Sequence, residues 1–119
     1  MLNIIGKVKM FVTNVSDTLC VVTHEQFKEF KSKHKLKFVS VSHSDIRIDY
    51  SGSYMFVGEA TKIQLSLFED AKKILETLGY ITNEFDIDIL SSGKDMPVAL
   101  TTFGIKDRIY VIIAPVIHD

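Results

Sequence analysis

The chain has 119 residues, 46% hydrophobic and 24% charged, with a formal net charge of −1 and a single cysteine. These proportions exclude a disordered or collagen-like polypeptide and give one domain with a core of ordinary fraction. No apolar run approaches the roughly 20 residues of a membrane helix, the stretch Met1 to Gly6 is too short for a signal peptide, and lone Cys20 fits a reducing compartment, so a cytosolic or nuclear protein is expected.

In chain order, residues 1–17 read as an N-terminal extension or extra strand, since Lys7 to Thr13 alternates polar and apolar. Thr18 to Val22 has strand character and holds Cys20, whose expected role is a small buried hydrophobe. Thr23-His24-Glu25-Gln26 is a capping box and predicts a helix to about His34. Strands are predicted over Lys37 to Ser42, Ile46 to Tyr50, Tyr54 to Glu59 and Lys62 to Leu65. Ser66-Leu67-Phe68-Glu69 is a second capping box, after which Leu67, Ala71, Ile74, Leu75 and Leu78 recur at helical spacing until Gly79. Phe85 to Leu90 follows as a strand, and the alternation from Glu84 to Ile89 predicts that one of its faces is solvated. The chain closes with a hairpin, Val98 to Phe103 and Ile109 to Ala114. Pro97 opens its first arm and Pro115 stops its second, because proline cannot donate to a ladder.

The order is strand, helix, three strands, twice over: the first unit spans residues 18 to 59 and the second 62 to 114. Connections such as His43-Ser44-Asp45 and Ser51-Gly52-Ser53 are too short for parallel crossovers, so the strands are antiparallel. An α+β domain is expected over residues 18–119, with two helices packed on one face of antiparallel sheet.

Asp95-Met96-Pro97 with its alternating apolar residues, and the later run into Ala114-Pro115-Val116-Ile117 and an acidic end, resemble the C-terminal end of sliding clamps of the proliferating cell nuclear antigen family. Cys20-Val21-Val22 leading into Glu25, Phe27 and Phe30 looks like the entry to that family's second domain. Val39 to Ser42, Asp45 to Ile48, the Ser51-Gly52 turn and Ser92 keep the family's order. The resemblance covers residues 18 to 119 and implies a DNA-clamp-like fold. Members of this branch carry two such domains per chain joined by a connector, whereas one is present here, so the resemblance implies self-association of single-domain subunits into a ring of about six.

The first helix carries Lys28, Lys31 and Lys35 in one stripe with His24 on the same side, beside an apolar stripe of Phe27, Phe30 and His34. Clamp helices line the central channel, so the resemblance implies that this stripe faces the phosphates of double-stranded DNA without reading sequence. Lys72 and Lys73 of the second helix join the implied DNA-binding set, diluted by Glu69, Asp70 and Glu76. In the family, partner peptides enter a pocket beside the C-terminal tail, and Pro97, Ile112, Ala114, Pro115 and Val116 match its position; polymerases and other replication proteins are the implied partners. A lysine stripe also reads as an ordinary solvated surface, and Ile112 and Pro115 also read as core and strand-end residues.

No catalytic constellation accompanies these features. Asp86 and Asp88 lie two apart on a strand and read as solvated charges, the four histidines lack metal-finger spacing, and no Gly-rich phosphate loop is present. The expected protein is therefore not an enzyme and needs no metal or cofactor. It is a polymerase processivity factor or, alternatively, a clamp-like interaction module that binds or inhibits replication proteins without encircling DNA. Its size would suit a virus or mobile element.

Overall fold

A computed structural model describes residues 19–58, 61–79, 86–102 and 108–116. The elements are β1 (Leu19–Val22), α1 (His24–His34), β2 (Val39–Ser40), a 3₁₀ turn (His43–Asp45), β3 (Ile46–Asp49), β4 (Tyr54–Val57), β5 (Thr61–Gln64), α2 (Leu65–Thr77), β6 (Ile87–Ser91), β7 (Val98–Thr102) and β8 (Tyr110–Ile113). The expected order of strand, helix and three strands, repeated once, is present. The expected strand over Lys7 to Thr13 lies outside the described residues.

Thr23 starts α1 as its motif requires. Its hydroxyl accepts from the Gln26 N–H at 3.2 Å, and the Gln26 side chain accepts from the Thr23 N–H at 2.9 Å. The helix ends at Lys35, which adopts the left-handed conformation with φ of 56°. The second capping box does not form. β5 runs directly into α2, which begins at Leu65, two residues ahead of the start a Ser66 cap would set, with Gln64 at the N-cap and no side-chain cap bond. The exposed first turn is served from elsewhere: Leu65 N–H donates to the Ser53 carbonyl at 2.9 Å, a partner in the β3–β4 turn. Gly79 ends this helix at φ +79°.

The strands form a five-stranded antiparallel sheet of order β1-β8-β7-β6-β2 and a three-stranded one of order β3-β4-β5. Exchanging the two units turns the β1–β8 ladder into β5–β4, turns β7–β8 into β3–β4, and leaves β2–β6 unchanged. Among the described ladders β6–β7 lacks a counterpart, because β2 and β3 part at the 3₁₀ turn. The predicted strand Lys37 to Ser42 is accordingly reduced to two ladder residues, with one further bond from Val41 N–H to the Ile89 carbonyl at 2.8 Å.

Alternate residues of the large sheet enter two different cores. Cys20, Val22, Leu90, Ala99, Tyr110 and Ile112 meet Phe27 and Phe30 of α1 on one face. Val21, Ile87, Ile89, Val98, Leu100, Val111 and Ile113 meet Ala71 and Leu75 of α2, together with Met55, Val57 and Ile63 of the small sheet, on the other. The helices therefore lie on opposite faces of the large sheet, which corrects the expectation of one helical layer. The reason is that each strand from β6 to β8 carries apolar residues on both faces, and both need a cover. The result is a compact α+β domain of three layers, with α1 alone on one side. Among the described residues no helix is long and apolar enough to cross a membrane.

Double coverage also overturns, at Asp88, the solvated face expected from Glu84 to Ile89, of which Glu84 and Phe85 lie outside the described residues. Asp88 points to the α1 face and is 6% exposed. Its carboxylate accepts from Ser40 Oγ at 2.8 Å, the partner a buried acid requires.

Candidate nucleic-acid interface

Five of the chain's fourteen lysines and arginines fall between Lys28 and Lys37, against Glu29 as the sole acid in that stretch. Local structure puts those of α1 on its outer side because Phe27 and Phe30 turn inward to the sheet, with Lys35 at its cap and Lys37 in the loop that follows. Lys28 and Lys35 are exposed, and Lys31 is half-buried with its ammonium 5.0 Å from the centre of the Phe27 ring. Such a cation over an aromatic face is held without being neutralised.

Beneath the lysines lies an aromatic row. Phe27 stacks on Tyr110 with centroids 4.0 Å apart, and Phe38 leans on Phe27 at 4.9 Å and 53°. Arg108 donates from Nε to the Tyr110 hydroxyl at 3.0 Å and from Nη1 to the Thr102 carbonyl at 2.8 Å. The Tyr110 hydroxyl in turn lies 3.4 Å from His24 Nδ1, so β8 and the first turn of α1 are tied through a polar chain at the edge of the basic face.

Where α1 hands over to β2, Lys28, Lys31, Ser32, Leu36, Lys37 and Phe38 line a shallow depression of about 380 Å³. Lys37 and Arg108 extend the basic face beyond the stripe read from helical spacing. The signals for them were the alternation Lys35-Leu36-Lys37-Phe38 and the same-face pair Arg108 and Tyr110, both invisible to a helix-only period.

The structure does not bring all the expected DNA-contacting residues together. His24, Lys28, Lys31 and Lys35 share α1, whereas Lys72 and Lys73 belong to α2, across the large sheet. The expected partner-binding residues separate in the same way. Ile112 is fully buried beneath α1, Ala114 is 8% exposed in the same core, and Pro97 is buried, whereas Pro115 and Val116 remain half-exposed. Carrying the β7–β8 register one residue further sets Pro97 opposite Ala114. The tail then crosses to the small sheet, where Val116 N–H donates to the Lys62 carbonyl at 2.8 Å. Only the last two residues of the set are open to a partner side chain. Among the described residues no group of three histidine, cysteine or carboxylate side chains gathers as a metal ion would need.

Comparison with protein-family profiles, with characterised proteins and with solved structures finds no match to this chain.

Proposed function

We propose that this chain is a processivity subunit of the sliding-clamp type, a non-enzymatic protein that self-associates around duplex DNA with α1 toward the phosphates. The observation that carries the reading is the strand pairing, in which the two strand-helix-three-strand units exchange with one another and β2–β6 lies on the exchange axis. A duplicated unit of that kind is what the resemblance implies. The basic outer face of α1 supplies affinity without sequence readout, which sliding requires. Among the described strands β1 and β2 are outermost in the large sheet and β3 and β5 in the small one, and outer strands favour a neighbouring copy.

The placement of the helices restricts the reading. With α2 on the other side of the large sheet, α1 is the channel-facing element, and Lys72 and Lys73 serve solubility or a second contact. The same placement favours the alternative of a clamp-like interaction module, since a one-helix lining per subunit leaves less surface to surround DNA. Mass in solution separates the two: a ring-sized species supports the clamp, and a strict monomer supports the module.

A further inference from the structure

We propose that the depression between α1 and β2 binds single-stranded nucleic acid, taking one nucleotide with its base against Leu36 and Phe38 and its phosphates on Lys28, Lys31 and Lys37. The proposal rests on the reading that α1 faces nucleic acid, and it names a ligand form and adds Leu36, Lys37 and Phe38, which the duplex-coating role does not use. Three observations carry it. The lining holds three lysines and no carboxylate, so it is a concentrated positive site on a chain whose net charge is −1. Its floor is apolar and aromatic, and a duplex backbone, which presents phosphate and sugar outward, leaves such a floor unused. Phe38 is held against Phe27 at 4.9 Å, so its ring is fixed before any ligand arrives and little entropy is lost on stacking.

Size agrees with a single nucleotide. The space of about 380 Å³ is at the small end of the roughly 300–1,000 Å³ of ligand pockets, and it is open, as a site for one unit of a longer strand must be. A basic groove with an aromatic platform is the general means by which unpaired strands are bound without sequence preference. Ser32 adds a hydroxyl at the rim that can donate to phosphate or to a base edge.

The test is fluorescence anisotropy on the intact wild-type chain with a labelled oligothymidylate and an abasic strand of equal length at one fixed salt concentration. The expected result is binding of the thymidylate about tenfold tighter than the abasic strand, as one stacked base contributes. Lys37→Ala should weaken both strands alike, and Phe38→Leu should remove the difference between them. Equal affinity of the wild type for the two strands, wild-type binding by Lys37→Ala, or no binding of either strand at low salt overturns the proposal. A monomer that keeps base-dependent binding removes the clamp reading and leaves this one standing, and a ring without base dependence does the reverse.

Discussion

Phe27 and Tyr110 lie face to face, with ring centroids 4.0 Å apart and planes 12° from parallel, and this stack joins the basic helix to the last strand. Both rings are nearly fully buried, so the position of the lysines above depends on a contact formed across 83 residues of chain, and the phenol also anchors Arg108 and His24. Phe27→Ala should cost about 3–5 kcal/mol, the range for deleting a buried aromatic, whereas Tyr110→Phe should cost only about 1 kcal/mol because the stack survives and one hydrogen-bonded hydroxyl is removed. Urea unfolding of the two variants checks the ratio, and near-equal losses would show that the polar chain, not the stack, holds α1.

The two capping motifs differ in the structure and should differ in stability. Thr23→Ala removes a formed reciprocal cap and should cost about 1 kcal/mol, while Ser66→Ala lies inside α2 and should be neutral or slightly stabilising. Thermal unfolding of the pair is sufficient, and equal destabilisation would restore Ser66 as a cap.

Lys35 occupies the left-handed region where glycine is favoured, at the point where α1 stops. Lys35→Gly should therefore raise stability by about 1 kcal/mol and at the same time weaken binding to polyanions. Opposite signs in unfolding and in heparin retention are the expected signature; loss of both stability and retention would contradict the backbone argument.

Asp49 is held below the usual aspartate range, first by the Ser51 hydroxyl, which donates at 2.7 Å, and next by the Gly52 N–H at 3.1 Å. Its folded value is depressed, so its contribution to stability is complete above the unfolded value and is lost as pH falls through the folded one. A side-chain NMR titration should find Asp49 below its value in an unfolded peptide and should move it upward in Ser51→Ala. No movement in that variant would remove the hydroxyl as the cause.

What could be read from the chain follows from the range of the interaction that decides each feature. The Thr23 to Gln26 cap, the Gly79 stop and the repeated element order are local, and they stand as expected. The start of α2 depends on the Ser53 carbonyl twelve residues upstream, and no motif within the helix records it. Asp88 alternates with apolar neighbours as a surface residue does; its burial comes from the α1 face above it and from Ser40, 48 residues away. Element order likewise does not say which face a helix covers, so α1 and α2 could not be placed on opposite sides without the double burial of β6 to β8. The α1 lysines were legible because helical spacing displays them, while Lys37 and Arg108 join the same face only through the loop before β2 and the start of β8.

If α1 faces duplex DNA, its stripe should set the salt dependence of binding. Replacing Lys28, Lys31 and Lys35 together with alanine should flatten the slope of log affinity against log salt by about 3, near 0.9 for each phosphate that no longer has its lysine. The same double plot for Lys72→Ala with Lys73→Ala should keep the wild-type slope. A slope unchanged by the first substitution set would take the stripe away from the phosphates.

The most direct test of the central claim is the mass of the intact chain in solution, measured by light scattering over a concentration series. The clamp reading predicts a discrete closed species of about six subunits that resists dilution once formed. A single monomeric species at every concentration would contradict it.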